Sequence, residues 1–127
     1  MNLAKYSGRT LAFLGDAVWS LVVRNSLLMN ERGKGKILQQ ESIRYVSAKA
    51  QARFYEILHD DNFFSVQEEE WYKLGRNGHS GTIPKNTNVQ TYCMSTGFEA
   101  ILGALYLLHD ENRIRQIWDK VGTVIEE

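Results

Sequence analysis

The chain has 127 residues, with 15 basic and 15 acidic side chains and 43% hydrophobic residues. This length suits one domain, spanning residues 1–127, with a single core, and the composition is ordinary for a soluble globular protein. The one cysteine, Cys93, excludes an internal disulfide and fits a reducing, cytoplasmic setting. We expect no signal peptide, because the first residues lack its order of basic, apolar and small residues. We expect no membrane partner, because Asp16, Arg24 and Asn25 interrupt the apolar run from Leu11 to Leu28.

The neutral total conceals an uneven distribution of charge along the chain. Between Arg32 and Arg53 the charged residues are basic except Glu41, and no acid occurs from Trp71 to Phe98. Segregated basic segments permit a local site for a polyanion on a protein without net charge. Solvated helix faces would explain the same pattern.

The first predicted helix runs from Gly8 to Asn30 and carries an acid in its apolar part. Asp16 is a poor residue for a helix interior, and Gly15 before it costs about 1 kcal/mol relative to alanine. Asp16 shares a polar stripe with Arg9, Ser20 and Arg24. Three explanations of this stripe are available: a solvent-exposed edge of the helix, a buried Asp–Arg pair, or a functional site.

The second predicted helix begins at Lys36 or Glu41 and ends near His59. Its apolar residues recur at helix spacing and predict a buried stripe of Ile43, Val46, Ala50, Phe54, Ile57 and Leu58. A third helix should follow Ser65 and end near Gly75, because Ser65 and Glu68 match a capping box.

Asn77 to Cys93 reads as one long irregular stretch, and loops of this length in compact domains are usually functional or disordered. A fourth helix should open at Ser95 or Thr96 and end near Leu108. Its predicted core residues are Phe98, Ile101, Leu102, Leu105 and Tyr106. Asp110 is a suitable N-cap for a last helix, Glu111 to Ile125, which turns Ile114, Ile117, Trp118, Val121 and Ile125 inward. The predicted fold class is all-α.

Glu99 is a second acid in an apolar helix. Thr96 and Glu99 form a possible capping box, which would give the acid a purely structural role. Gly97 and Gly103 in the same helix suggest close approach of another backbone or a ligand. If the two apolar helices pack together, Asp16 and Glu99 would supply hard oxygen ligands for Mg²⁺, which could assist phosphodiester hydrolysis.

The chain is similar over nearly its whole length to ribonuclease III catalytic domains, and in particular to the short bacterial Mini-ribonuclease III branch. The stretches that carry this resemblance are Leu11–Trp19, Tyr45–Ala52, Gly75–Tyr92 and Phe98–Leu107. The wider family has further acids at positions held here by Arg9, Ala12 and Thr96, and the branch shares that reduction. The resemblance therefore implies a site of Asp16 and Glu99, catalytic and metal-binding, and leaves the number of Mg²⁺ ions open.

The resemblance also implies a dimeric, helical endonuclease-domain fold that cleaves double-stranded RNA. It implies a homodimer in which Phe13 packs against the partner subunit, action without a separate double-stranded-RNA-binding domain, and maturation of precursor 23S ribosomal RNA. Whether a ribosomal protein presents the substrate stays open. The candidate RNA contacts are Arg44, Lys49, Gln51, Arg76, Lys85 and Asn86. Lys49 could equally be a plain surface lysine. The alternative function is a non-catalytic RNA-binding scaffold in ribosome assembly.

Overall fold

Helices account for nearly all of the chain that the computed structural model describes, which comprises residues 2–78 and 88–126. A 3₁₀ helix at Leu3–Lys5 is followed by six α-helices: α1 (Gly8–Met29), α2 (Lys36–Val46), α3 (Ala48–Asp60), α4 (Val66–Asn77), α5 (Val89–Leu107) and α6 (Glu111–Glu126). These ranges contain no strand. The all-α prediction is confirmed.

Helix α5 is the centre of the fold, because α1, α3, α4 and α6 all pack against it. Phe98 and Ile101 on α5 are completely buried, as is Trp19 on α1. The Trp19 and Phe98 rings meet edge to face with their centroids 5.0 Å apart, and Trp19 Nε1 donates a hydrogen bond to the carbonyl of Tyr45 over 2.8 Å. By length and composition α1 could cross a membrane, a test that core helices also pass.

The predicted second helix is in fact two helices, because the backbone is extended at Ser47 (φ −64°, ψ 153°). The Ser47 hydroxyl accepts a hydrogen bond from the backbone N–H of Ala50 and caps the start of α3. The same residue ends α2. The change of direction removes Ile43 from the predicted buried stripe, and its side chain is 58% exposed.

The predicted start of the fourth helix is also wrong. Helix α5 begins at Val89, where the Asn88 side chain accepts a hydrogen bond from the backbone N–H of Thr91 over 2.7 Å. Thr96 therefore lies inside the helix, and its hydroxyl donates to the Tyr92 carbonyl rather than forming a cap. The capping-box explanation of Glu99 is excluded. Tyr106, a predicted core residue, is 47% exposed.

The predicted capping box at the start of α4 is present, and its glutamate also forms an ion pair with an arginine of α6. Glu68 is only 3% exposed, and its carboxylate accepts hydrogen bonds from the Ser65 N–H (2.8 Å) and from Nε and Nη2 of Arg113 (2.7 and 2.8 Å). Asp110 also accepts from the backbone N–H of Arg113 (3.2 Å), which confirms the predicted N-cap of α6. Hydrogen bonds from Arg113 and Ser65 lower the pKa of Glu68, although burial opposes them.

Candidate active site

Two glycines bring the backbones of α1 and α5 into contact. A Cβ atom on Gly15 would lie 1.7 Å from the carbonyl oxygen of Glu99, and one on Gly103 would lie 1.9 Å from the carbonyl oxygen of Leu11. No side chain fits at either position unless the helices move apart. The close approach predicted for Gly103 is confirmed, and the cost of Gly15 within a helix has its reason in this crossing.

The crossing sets Asp16, the residue after Gly15, beside Glu99. Glu99 is largely buried, and burial is the main cause that raises the pKa of its carboxyl to about 8. Asp16 raises it further by charge repulsion and a hydrogen bond between the two carboxyls, while a hydrogen bond from Gln51 lowers it. A carboxyl whose pKa is raised by burial and by a second carboxyl beside it marks a site that would bind a cation.

Asp16 itself is exposed and forms no ion pair with Arg24 among the residues described. The alternative of a buried Asp–Arg pair is therefore wrong. A wet helix edge accounts for the exposure of Asp16 but not for its place next to a largely buried glutamate.

Gln51 is the third side chain at this site. It is 2% exposed, and its Nε2 donates to the Val46 carbonyl over 3.0 Å and to Glu99 Oε2 over 3.4 Å. The prediction that Gln51 contacts RNA does not fit this burial. A sequence signal was available, because Gln51 stands at helix spacing with the core residues Phe54 and Leu58 and is the polar member of that stripe.

These residues fit a hard divalent cation with few protein ligands. In the ranges 2–78 and 88–126, no cluster of three or more His, Cys, Asp or Glu residues is present. Asp16 and Glu99 nevertheless offer carboxylate oxygens, and Gln51 Oε1 is a buried amide oxygen without a hydrogen-bond partner. Carboxylate and amide oxygens around an ion that retains several waters suit Mg²⁺.

The other predicted RNA contacts lie at different places on the surface and differ in their partners. Lys49 is exposed in the first turn of α3, two residues before Gln51. Arg44 is exposed but held by an ion pair with Glu41 over 2.9 Å, which also raises the pKa of Arg44. Arg76 is exposed at the end of α4 and lies over the Tyr72 ring, 5.7 Å from its centroid. Lys85 and Asn86 lie outside the described residues.

Arg76 borders a groove of about 710 Å³ between α3, α4 and the first half of α5. Lys73, Asn77 and Gln90 also line it, as does the acid Glu69, so basic, amide and acidic groups all border the groove. Cys93, another lining residue, precedes Glu99 by six residues on α5, or about 9 Å along the helix. Sequence analysis did not single out Lys73 and Gln90, because charge and polarity alone do not distinguish a residue that lines a groove from one on a solvated helix face.

Phe13, the predicted dimer contact, is 82% exposed on α1. Large apolar side chains elsewhere on α1 are exposed as well, namely Leu21, Leu28 and Met29. So much exposed apolar surface on one helix is typical of an interaction surface.

Comparison with known proteins assigns the chain to a family. Residues 9–110 match the ribonuclease III domain. The chain is 44% identical over 111 residues to Mini-ribonuclease 3 of Streptococcus pneumoniae, covering 87% of each protein. It is 42% identical over 118 residues to Mini-ribonuclease 3 of Staphylococcus aureus, covering 93% of this chain and 88% of that protein.

The fold comparison agrees with the sequence comparison. A crystal structure of a protein from Fusobacterium nucleatum superimposes with a TM-score of 0.82 and 35% identity, over 94% of this chain and 90% of that one. The matched residues include α1 and α5, the two helices that bring Asp16 and Glu99 together. The chain therefore belongs to the ribonuclease III family, on the branch of the Mini-ribonuclease 3 enzymes, and is an endoribonuclease.

Proposed function

We propose that the chain is a Mg²⁺-dependent endoribonuclease of the cytoplasm that hydrolyses phosphodiester bonds in double-stranded RNA and matures precursor 23S ribosomal RNA. The single observation that carries the proposal is the adjacency of Asp16 and Glu99, whose interaction contributes to the raised pKa of Glu99. Membership of the ribonuclease III family indicates the class of reaction, and the pair of carboxyls indicates where on the protein it would take place.

Asp16 and Glu99 would hold the Mg²⁺ ion. When bound, such an ion lowers the pKa of water and stabilises the leaving oxygen of a phosphodiester. Because the pKa of Glu99 is about 8 without metal, its carboxyl carries a proton for much of the time at neutral pH. Glu99 must therefore release that proton when a cation binds, which couples metal affinity to pH.

Exposed cations near the site support recognition of a duplex through its phosphates. Lys49 stands two residues from Gln51 on α3, and Arg76 and Lys73 line the groove beside the first half of α5. Double-stranded RNA presents a wide, shallow minor groove and two phosphate strands, so a protein reads its shape and backbone rather than its sequence. Arg44, Lys85 and Asn86 belong to the same proposal as outer contacts.

A homodimer would place two such sites along one duplex. The exposed Phe13, Leu21, Leu28 and Met29 supply apolar surface on α1 for a two-fold contact, in which the same patch serves both subunits. Sedimentation of the wild type as a dimer and of Phe13→Glu as a folded monomer is the expected result. A wild type that sediments as a monomer at micromolar concentration would contradict this part of the proposal.

The cleavage test uses a long duplex RNA with Mg²⁺, with and without EDTA. We expect cutting that EDTA abolishes, and a loss of about 10³-fold or more in Asp16→Asn and Glu99→Gln, the scale of removing one preorganised electrostatic group. Glu70→Gln, at an exposed acid on α4, is the matched control and should cut normally. Full activity of either site variant would remove that residue from the mechanism. RNA that is bound but left intact by the wild type would instead indicate a scaffold.

The substrate is tested by competition between two duplexes of equal length. One carries the terminal stem of precursor 23S ribosomal RNA and the other an unrelated stem. Cutting of the ribosomal stem at a single position, and scattered cutting of the other, is the expected result. Equal, scattered cutting of both would leave double-stranded RNA as the substrate and contradict the ribosomal assignment.

A further inference from the structure

Gln51 is a buried polar side chain that the proposed mechanism does not yet use. It is 2% exposed on α3, where its neighbours in the core stripe are Phe54 and Leu58. A leucine of similar volume would satisfy packing at such a position without burying an amide. The amide therefore needs a function that a hydrocarbon cannot perform.

The orientation of the amide follows from its contacts. The Val46 carbonyl and Glu99 Oε2 are both acceptors for Nε2, at 3.0 and 3.4 Å. A flipped amide would put its oxygen against the Val46 carbonyl, so Nε2 must face these two groups. Oε1 is thereby left as an acceptor with no donor, and it is the one such buried side-chain atom in the part of the chain described.

An amide oxygen left unsatisfied in the interior costs about 1–3 kcal/mol relative to one that accepts a hydrogen bond. Oε1 belongs to the same amide as Nε2, and Nε2 lies 3.4 Å from Glu99 Oε2, so a donor to Oε1 would stand close to the acid pair. A donor at this place would have to sit within the carboxylate pocket.

Water held by a cation is a donor of the right kind. Mg²⁺ keeps several water molecules when only one or two carboxylates bind it, and these waters direct their hydrogens away from the ion. Within residues 2–78 and 88–126 no third carboxylate joins Asp16 and Glu99, so most of the coordination sphere would be water. An acceptor beside Glu99 would then hold both the ion and its shell in place.

We propose that Gln51 is a positioning residue of the metal site: Nε2 orients the Glu99 carboxylate, and Oε1 accepts a hydrogen bond from water in the hydration shell of a divalent cation bound by Asp16 and Glu99. This inference rests on the proposed Mg²⁺-dependent function. The neutral amide of Gln51 would then help to position the ion, a task that additional carboxylates perform in other metal sites.

The test measures metal binding without RNA. Mn²⁺ is titrated into the full chain, and free Mn²⁺ is followed by its electron paramagnetic resonance signal. For Gln51→Leu we expect the dissociation constant to rise about 10- to 100-fold, the usual effect of removing a residue that orients a metal ligand. The half-saturating Mg²⁺ concentration for cleavage should rise by the same factor, while KM for RNA at saturating Mg²⁺ stays unchanged.

Ser95→Ala is the matched control. Ser95 is also buried, lies one turn before Glu99 on α5, and donates its hydroxyl hydrogen bond to the Tyr92 carbonyl instead of to the site. Its metal affinity should equal that of the wild type. Circular dichroism checks that each variant is folded, and Gln51→Met, of similar length without an amide, replaces Gln51→Leu if the leucine variant does not fold.

The outcomes distinguish this inference from the proposed function. Wild-type cleavage that persists in EDTA would overturn the proposed function. If wild-type cleavage requires Mg²⁺ but the folded Gln51 variant binds Mn²⁺ within twofold of the wild type, the positioning role is wrong. A rise in KM for RNA with unchanged metal affinity would likewise overturn it and would return Gln51 to the RNA contacts.

Discussion

Glu68 and Glu99 are both glutamates inside the protein, and the groups around them are opposite in kind. Glu68 accepts three hydrogen bonds, two of them from the guanidinium of Arg113, and its pKa is lowered. Glu99 receives one long hydrogen bond from Gln51 and faces a second carboxyl, Asp16, and its pKa is raised to about 8. Burial is common to both, so the partners decide which acid stabilises the fold and which is ready to bind a cation.

The largest expected effect comes from neutralising each acid in turn. Glu68→Gln should lower the free energy of unfolding by about 3–5 kcal/mol, because it leaves the charge of Arg113 inside without its partner. Glu99→Gln should abolish cleavage yet unfold at the same or higher urea concentration in EDTA, because it removes a poorly solvated acid. Urea unfolding of both variants measures the contrast. A Glu99→Gln variant as unstable as Glu68→Gln would show that the two sites do not differ in this way.

The two acids should also give stability opposite dependences on pH. Between the ordinary glutamate pKa of 4.5 and about 8, the folded protein without metal retains a proton on Glu99 that the unfolded chain has lost, so stability falls as pH rises. Glu68 has a lowered pKa, so its contribution is present above its ordinary pKa and is lost as pH falls below it.

Thermal unfolding from pH 3 to 9 in EDTA measures both slopes. Glu99→Gln should reduce the loss of stability between neutral and alkaline pH, by up to a few kcal/mol. Glu68→Gln should flatten the decline on the acid side. An unchanged alkaline slope in Glu99→Gln would mean that this carboxyl is ionised in the free protein.

The helix crossing tests whether the position of Glu99 depends on backbone contact. Gly103→Ala would put a methyl group 1.9 Å from the Leu11 carbonyl oxygen, so α1 and α5 must separate. We expect a loss of about 1–3 kcal/mol in stability together with weaker Mn²⁺ binding. Gly122→Ala on α6, where the added group would meet nothing within 4 Å beyond the backbone of its own helix turn, is the control and should gain about 0.5–1 kcal/mol. Normal Mn²⁺ affinity in a folded Gly103→Ala variant would contradict the dependence.

The smallest expected effect concerns the surface beside the site. Lys49→Gln and Arg76→Gln should each reduce the slope of log affinity for duplex RNA against log salt by about 1, because each lost phosphate contact releases one fewer counterion. Arg115→Gln, exposed on α6, is the control. A slope equal to that of the wild type in either variant would remove that residue from the phosphate contacts.

The two acids of the site could be predicted from sequence because each is out of place in an apolar helix. The ends of the helices that carry and surround them were harder to predict. The apolar period runs through Ser47 without a break, although the backbone turns there, since one serine can end α2 and cap α3 at once. The start of α5 was placed too late, because the capping Asn88 lies within a polar stretch that offers other caps.

Helix spacing with Phe54 and Leu58 indicated that Gln51 lies in the buried stripe, but the group that its amide contacts could not be predicted from local pattern. Its burial depends on α5 packing over α3, and its hydrogen bond to Glu99 joins residues 48 positions apart. A basic segment around Lys49 made an RNA contact the natural interpretation. Only tertiary packing distinguishes an amide that faces solvent from one that faces a carboxylate.

The glycine contact between α1 and α5 has a consequence for transferring this site to another protein. Both acids stand beside the point where the main chains of α1 and α5 touch, so their approach depends on the glycines that permit this contact. A designer who copied only the acids onto two packed helices would place them too far apart. The minimal unit to transplant is Gly15 with Asp16 on one helix, and Glu99 with Gly103 one turn later on the other.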